Sequence, residues 1–343
     1  MALNTASGGR LTPRQEAMDV THYTIDITVD PFKRIISGVV EISFTMFRGV
    51  DLIEFDLINN YSVSGTEING MSLAFTHKNN KLFIGNPGLK PFVENKIKIK
   101  YAGRPPVAKN PPWDGGFTWS TSEDGSSWVG VSCQSNGAHI WYPCKEHPSD
   151  KVNGADIYIT APPTLMVVSN GLMQSTVVEK DKWNKWHWKT NYPISAYNIN
   201  FTIGKFEIIE KRVFIDQNKI DLVYYVLPEK ESGGADLLEE AEKHLRFYTQ
   251  HFGPYPWKNE KFGLVHTPYS GMEHQTINSY GNNYKKTSLG YDFILFHEMG
   301  HEWWGNFLSV ADWSDFWIHE GFDTYAEAMY VEETYGIESA RNF

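Results

Sequence analysis

The stretch His297-Glu298-Met299-Gly300-His301, followed by Glu320, decides how the second half of this chain is read. Two histidines four residues apart on an α-helix point the same way, because four residues advance about 400° around the axis. Both imidazoles can then reach one zinc ion at the roughly 2.0–2.1 Å that zinc–nitrogen bonds require. Glu298 is turned away from the ion but stays beside it, where a general base can take a proton from water. The sequence therefore predicts one Zn²⁺ per chain, with His297, His301 and Glu320 as its ligands.

The residues around this motif favour two helices. A His-Glu-x-x-His sequence arises by chance in roughly a few per cent of chains of this length, so it needs support from its surroundings. Apolar residues recur near 3.6-residue spacing from Tyr291 to Phe307, which predicts one helix there. A second helix is predicted from Ser314 or Asp315 to Tyr335, with Gly336 as its stop. Glu320 falls on the first turns of this second helix, nineteen positions after His301.

The spacing of the ligands separates families of zinc peptidases. A metzincin would need a third histidine six positions after His301, where this chain has Phe307. His-Glu-x-x-His followed after eighteen residues by Glu resembles the aminopeptidase N family of gluzincins. Thermolysin-type endopeptidases typically carry one residue more in that gap. The segment Trp317-Ile318-His319-Glu320-Gly321-Phe322 is similar to the family's Trp-x-Asn-Glu-Gly-Phe segment, with His319 in place of the usual asparagine.

A second segment, Ser270-Gly271-Met272-Glu273-His274, resembles the family's Gly-x-Met-Glu-Asn. The glutamate of that segment holds the free α-amino group of the substrate, so the resemblance implies this role for Glu273. It also places Gly271, Met272 and His274 around the first substrate residue, although Ser270 replaces a glycine and His274 an asparagine. A carboxylate at the closed end of a cleft would pair with the ammonium group and restrict cleavage to the terminal residue. The alternative is an incidental acid on a surface turn.

Other side chains are candidates for supporting roles. Cys133-Gln134, upstream of Pro143-Cys144, resembles the family segment in which a glutamine contacts the bound N-terminal residue. Gln134 is a neutral donor and acceptor suited to that contact, but most glutamines are simply solvated. Glu327 is placed to orient a ligand histidine through its other nitrogen, or is an exposed helix charge. Buried or free thiols are favoured for Cys133 and Cys144 over a disulfide.

Composition excludes several classes of protein. Aromatic residues make up 15% of the 343 residues, which argues against disorder. The formal net charge of −10, with no basic stripe, disfavours nucleic acid as a partner. No apolar run approaches the roughly 20 residues of a transmembrane helix. The expected partner is a peptide with a free N-terminus. The first nine residues lack a signal-peptide pattern, so the protein is either cytoplasmic or exported with its signal removed, and both alternatives stay open. The oligomeric state stays open as well.

The pattern along the chain predicts an α+β protein. Residues 1–20 are expected to be a loose leader. Residues 21–205 carry period-two alternation, as in Thr21–Asp30, and predict a mostly antiparallel β domain built as a saddle or sandwich. Residues 206–343 begin with strand-like Arg212–Leu227 and a helix over Ala235–Phe252. This order resembles the upper part of a thermolysin-like α/β zinc-peptidase domain.

One side chain that takes part in the family's reaction is not expected in this sequence. The family's tyrosine that donates to the developing oxyanion lies some sixty or more residues beyond the third ligand, whereas 23 residues (343 minus 320) follow Glu320. The hypothesis is therefore a fragment of a longer zinc aminopeptidase that binds zinc and turns peptides over poorly, if at all, since one oxyanion donor contributes about 10²–10³ in rate. The alternatives are a thermolysin-like zinc endopeptidase and a non-catalytic peptide-binding protein on a peptidase fold.

Overall fold

The computed structural model describes residues 10–134, 137–179 and 181–342, and these form two compact units. The first unit ends at Gly204 and also includes Ala311–Trp313. The second comprises Lys205–Val310 and the segment from Ser314 onward. Each unit has its own secondary structure and its own core.

The first unit is built almost entirely of strands. Short 3₁₀ turns at Ala138–Ile140 and Ala196–Asn198 interrupt them. In chain order the strands are β1 (Met18–Asp30), β2 (Ile35–Met46), β3 (Leu52–Asp56), β4 (Tyr61–Ile68), β5 (Met71–Ser72), β6 (Phe75–Lys78), β7 (Lys81–Gly85), β8 (Glu94–Gly103), β9 (Gly116–Thr121), β10 (Ser127–Ser132), β11 (Lys151–Val152), β12 (Ala155–Ala161), β13 (Met166–Ser169), β14 (Leu172–Val178), β15 (Asn184–Thr190), β16 (Ile194–Ser195) and β17 (Phe201–Gly204).

The largest sheet of this unit has eight strands in the order β14-β15-β12-β1-β2-β8-β4-β5. All neighbours in it are antiparallel except β1 and β12, which run parallel. Smaller sheets follow the orders β13-β17-β10-β9, β3-β7-β6 and β11-β16. The alternation of β1 buries Tyr23, Ile25, Ile27 and Val29, each worth about 1.5–3 kcal/mol of transfer free energy. The predicted mostly antiparallel β domain is confirmed.

Several strands of the first unit carry little alternation of apolar residues in their sequences. Strands β4, β9 and β10 are rich in serine, threonine and glycine, so period-two alternation of apolar residues is weak in them. Strand β14 is exposed along its whole length and has no buried face to leave a pattern. Alternation identifies a strand only where one of its faces is buried.

The second unit contains a five-stranded sheet in the order β18-β19-β20-β22-β21. Its strands are β18 (Glu207–Ile215), β19 (Asn218–Val226), β20 (Lys261–His266), β21 (Gly271–Met272) and β22 (Asn278–Tyr280). The segment predicted as strand-like over 212–227 is the larger part of a hairpin, because Asp216 and Gln217 turn the chain between β18 and β19 at φ values of 46° and 68°. Strands β19, β20 and β22 are parallel, and β21 is an antiparallel edge strand.

The helices of the second unit are α1 (Gly234–Phe252), α2 (Phe293–Gly300), α3 (Trp317–Tyr335) and α4 (Ile337–Arg341), with a 3₁₀ turn at Pro228–Gly233. Helix α1 matches its prediction and packs on β18, β19 and α2. Helix α3 ends as predicted at Gly336, whose φ is 89°. No helix among the described residues is long and apolar enough to cross a membrane.

Helix α2 is shorter than the predicted segment from Tyr291 to Phe307. It begins after Asp292, whose side chain accepts a hydrogen bond from the Leu295 amide at 3.1 Å. It ends at Gly300, after eight residues. The chain then turns, with the Asn306 amide donating to the His301 carbonyl at 2.9 Å and Gly305 at a φ of 128°. Apolar residues continue at helical spacing beyond Gly300, but they line a turn.

Candidate metal centre

The two histidines of the motif face each other across a short gap. His297 lies in the last turn of α2 and His301 is its C-cap, and their Nε2 atoms are 3.1 Å apart. Each ring is held from its other side: His297 Nδ1 is 2.9 Å from Glu327 Oε1, and His301 Nδ1 is 2.9 Å from the Trp304 carbonyl. With both Nδ1 atoms donating, the two Nε2 lone pairs point into one space, where a cation is needed.

Glu320 completes the set from the first turn of α3. Its Oε2 lies 3.6 Å from His297 Nε2 and 3.8 Å from His301 Nε2. Ligands on a tetrahedral zinc ion, with bonds of 2.0–2.1 Å, are about 3.3 Å apart. The three donor atoms are therefore spaced as zinc requires, apart from a few tenths of an ångström. Two imidazoles and one carboxylate are also a donor set that zinc prefers, with a fourth position left open.

Two carboxylates on α3 support His297, and one of them was not singled out from the sequence. Asp323 Oδ2 lies 3.0 Å from His297 Nδ1, next to Glu327, and its Oδ1 accepts from the Tyr248 hydroxyl at 3.1 Å. The ligand-type atoms of Asp323 and the two histidines also lie within 4.8 Å of one another. Because Asp323 meets His297 on the Nδ1 side, away from His301, we assign it a supporting role.

Sequence spacing alone could have found this support. Glu320, Asp323 and Glu327 follow one another at intervals of three and four residues, which places them on one face of α3. Asp323 and Glu327 are both buried, so Glu327 is not an exposed helix charge. A buried acid next to a ligand histidine fixes the ring orientation and increases its basicity.

Gly300 is required by this arrangement. A Cβ built on it would come closer than 3.0 Å to both Asp323 Oδ1 and Tyr248 Oη. The absence of a side chain lets Asp323 approach α2 and reach His297. Gly300 is an unrestricted position in the His-Glu-x-x-His pattern, but here it admits no larger residue without displacing the carboxylate.

Glu298 is buried against the edge strand β21. A Cβ on Gly271 would overlap the Glu298 carboxylate, so this glycine makes the close approach of the side chain possible. Burial raises the pKa of Glu298 to about 8, and the histidines oppose that rise only in part. A cation at the three ligands would lower this value again, because it favours the ionised form of a neighbouring carboxylate.

Glu273 lies directly after β21 and is also buried, so it is not an acid on a surface turn. Its Oε1 has no hydrogen-bond partner among the described residues. Burial raises its pKa to about 7, with Glu320 adding to the rise and His301 and His297 opposing it. Glu273 therefore lies near enough to the three ligands for their charges to influence its own. Its free oxygen can accept a cation.

The carboxylates in turn control the charge of the histidines. Burial lowers the pKa of His301, but Asp323 and other carboxylates outweigh this effect and raise it to about 9. The pKa of His297 is raised well above its usual value despite burial, chiefly by Asp323 and Glu327. Without a metal ion, the imidazole pair therefore holds a proton that a metal would displace.

The other residues singled out from the sequence have different surroundings. Met272 and His274 are buried, and His274 Nδ1 lies 3.4 Å from Ser279 Oγ, while burial lowers the pKa of His274 to about 3. His319 accepts a hydrogen bond from the Val310 amide at 3.1 Å, so it holds the segment before α3. Gln134 belongs to the first unit, in a partly buried bend after β10, and its role stays a prediction. Cys133 and Cys144 are buried free thiols, as expected.

The two parts of the chain match two parts of one family. Residues 20–198 match the Peptidase M1 N-terminal domain, and residues 237–342 match the Peptidase family M1 domain. The chain therefore belongs to peptidase family M1, and the resemblance drawn from its motifs is confirmed.

Known relatives and solved structures agree with this assignment. Over 209 residues the chain is 27% identical to endoplasmic reticulum aminopeptidase 1 of Homo sapiens, covering 58% of this chain and 22% of the relative. It is 27% identical to aminopeptidase N of Homo sapiens over 228 residues, covering 60% of this chain and 23% of the relative. The chain thus spans less than a quarter of the length of these relatives.

Solved structures share the fold over most of the chain. A two-domain M1 zinc metallopeptidase bound to L-arginine superposes with a TM-score of 0.82 at 23% identity, covering 96% of this chain and 74% of the other. The M1 zinc metallopeptidase of Deinococcus radiodurans gives 0.79 at 24% identity, covering 92% and 71%. The predicted α+β class, with a β-rich first part followed by a helix-bearing second part, is confirmed.

Proposed function

We propose that this chain acts in the zinc-dependent hydrolysis of the N-terminal peptide bond of peptides. The observation that carries the proposal is Glu273, a buried carboxylate with an unpartnered oxygen in the same cluster as three zinc-spaced ligands. An endopeptidase has no use for such a group, because it binds peptides in mid-chain. The domain bounds 21–205 and 206–343, and a contact of Gln134 with the first substrate residue, are part of the same proposal.

His297, His301 and Glu320 would hold the metal. When bound, zinc supplies Lewis-acid chemistry: it activates a water molecule and polarises the scissile carbonyl. Glu327 and Asp323 keep His297 oriented, and the Trp304 carbonyl does the same for His301. The chain itself then has to supply a base and a group that fixes the substrate.

Glu298 is the proposed general base. It takes a proton from the attacking water and later delivers it to the leaving amine. A group that both accepts and donates a proton works best when its pKa lies near the working pH, and burial shifts Glu298 in that direction. Gly271 contributes by leaving room for its carboxylate.

Glu273 is the proposed anchor for the substrate. Its carboxylate, desolvated and lacking a hydrogen bond at Oε1, would pair with the α-ammonium group of a peptide. That pairing fixes the distance from the N-terminus to the metal, so the first peptide bond is the one presented. Gly271, Met272 and His274, which flank Glu273, are proposed to shape the space around the first residue.

Zinc content is the first measurement that tests this proposal. Elemental analysis should give about one zinc ion per chain in the unaltered protein, and loss of most of it in Glu320→Ala. Glu332→Ala is the matched control, since Glu332 is exposed on the same helix. A protein without zinc, or a Glu320→Ala variant that keeps it, would remove the metal assignment.

The substrate arm compares leucine p-nitroanilide with its N-acetyl derivative on the zinc-loaded protein. We expect cleavage of the free amine only, and a fall of about tenfold or more in kcat/KM in Glu273→Ala. Equal cleavage of the acetylated compound would favour a different class of peptidase. No cleavage of either compound with zinc bound would leave peptide binding, and not hydrolysis, as the role of this chain.

A further inference from the structure

A single buried carboxylate, Glu302, follows the second histidine of the motif. It is fully buried and accepts hydrogen bonds on both oxygens. Its partners are the Thr276 amide and Asn278 Nδ2, both at 2.9 Å on Oε1, and Trp257 Nε1 at 2.6 Å and Asn306 Nδ2 at 3.1 Å on Oε2. The Tyr255 hydroxyl lies 3.4 Å from Oε1 and donates its hydrogen to the Lys261 carbonyl at 2.9 Å.

These surroundings suit a carboxylate and no other side chain. A buried charge is costly unless it is hydrogen-bonded, and here four N–H donors offset that cost. Glutamine has the same shape but one oxygen, and its amide hydrogens would face donors on one side. The hydrogen bonds come from two stretches besides that of Glu302 itself, so the carboxylate joins chain segments that are distant in sequence.

Two of these segments belong to the proposed active site. Glu302 is the residue after the ligand His301. Thr276 and Asn278 lie three and five residues after Glu273. Hydrogen bonds of 2.9 Å to both of them therefore tie the segment that carries the proposed amine anchor to the segment that carries a metal ligand.

The segment after Glu273 does not hold this course by itself. Thr276 has a φ of 63°, a left-handed conformation that is costly for a β-branched residue. Its carbonyl also packs so close to β20 that a Cβ on Gly263 would come within 3.0 Å of it. Tertiary contacts impose this tight turn. The Thr276 amide within it donates a hydrogen bond to the Glu302 carboxylate.

We propose that Glu302 is a positioning residue that fixes the Glu273 carboxylate relative to the His297–His301 pair. The inference rests on the proposed function, because it concerns the distance between the substrate amine and the metal. Glu302 touches neither substrate nor metal in this role. It acts by holding the turn at Thr276 and the start of β22 against the end of α2.

The test is the contribution of the substrate amine to binding. L-leucine hydroxamate and 4-methylpentanohydroxamic acid have the same side chain and metal-binding group, and differ in the α-amine alone. Calorimetric titration of the zinc-loaded chain should give the amine-bearing compound an affinity about tenfold or more higher. In Glu302→Gln this ratio should fall to about threefold or less, with the affinity of the amine-free compound and the zinc content unchanged.

Two further variants separate positioning from stability. Asn278→Ala removes a donor on the Glu273 side and should lower the ratio in the same direction, which decides the matter if Glu302→Gln does not fold. Asn306→Ala removes a donor to the same carboxylate on the metal side and should leave the ratio unchanged.

The outcomes distinguish this inference from the proposed function. An unchanged ratio in Glu302→Gln and Asn278→Ala, or an equal loss of affinity for both compounds, would overturn the positioning role. A wild-type protein that does not prefer the amine-bearing compound would instead overturn the assignment of Glu273 as the anchor.

Discussion

Replacing Gly300 by alanine should damage the metal centre although it adds one methyl group to a helix. The new Cβ would come closer than 3.0 Å to Asp323 Oδ1 and Tyr248 Oη, which are both buried. Neither atom can swing into solvent to make room. Asp323 must therefore withdraw from His297, and the hydrogen bond between Tyr248 and Asp323 must lengthen or break.

Two opposing effects set the size of the change. Alanine is favoured over glycine in a helix by about 1 kcal/mol. Overpacking a close-packed site costs about 1–3 kcal/mol, and a buried hydrogen bond left unmade costs about 1–3 kcal/mol more. The balance is a net loss of about 1–5 kcal/mol in the free energy of unfolding. Loss of the support to His297 should lower zinc affinity by about 10–100-fold.

Gly321→Ala is the matched control. Gly321 also lies in a helix and also adjoins a ligand, Glu320, but its Cβ would meet no atom closer than Trp317 Cε3 at 3.6 Å. This variant should gain up to about 1 kcal/mol and keep its zinc. Urea unfolding of the metal-free proteins and competition with a zinc chelator measure both quantities. A Gly300→Ala variant as stable and as zinc-avid as Gly321→Ala would refute the packing argument.

Further predictions concern the pH dependence of zinc binding and of stability, the space at Gly271, and the support that Glu327 gives to His297. Because the pKa of His301 is raised to about 9 in the metal-free protein, zinc competes with a proton below that pH. The zinc affinity measured by calorimetric titration should therefore rise between pH 6 and pH 8, by about tenfold per pH unit for each proton displaced. The raised pKa values of His301, Glu298 and Glu273 all mean that the folded metal-free chain binds extra protons, so its stability to urea should fall as pH rises from about 6 to 9; stability that rises over this range would contradict the shifts. Gly271→Ala should displace the Glu298 carboxylate and lower kcat by about tenfold or more while zinc content is retained, and an unchanged kcat would exclude the contact. Glu327→Ala should weaken zinc binding about 10–100-fold in chelator competition, and equal affinity would mean that His297 needs no support from it.

The parts of the site that depend on local geometry could be predicted from the sequence. Two histidines four apart need only a helical turn to meet, and His297 and His301 do meet. The stop at Gly336 follows from the positive φ that glycine tolerates. Glu320 could be assigned because the length of the gap matched a family pattern.

The parts that depend on contacts between distant segments could not be predicted in this way. The end of α2 is set by the turn through Gly305, and the apolar spacing beyond Gly300 gives no sign of it. Asp323 becomes a partner of His297 only when α3 packs on α2. The role of Glu302 depends on a turn at Thr276 whose conformation its sequence disfavours. Tertiary packing decides each of these positions.

Because Glu320, Asp323 and Glu327 lie on one face of α3, any movement of this helix moves all three side chains together. A small rotation of α3 would withdraw the ligand and both supports of His297 together, rather than weakening the site by degrees. Metal binding and the packing of α3 on α2 are then thermodynamically coupled. Any event elsewhere on α3 that alters how the helix is seated would be felt at the zinc site without touching a ligand.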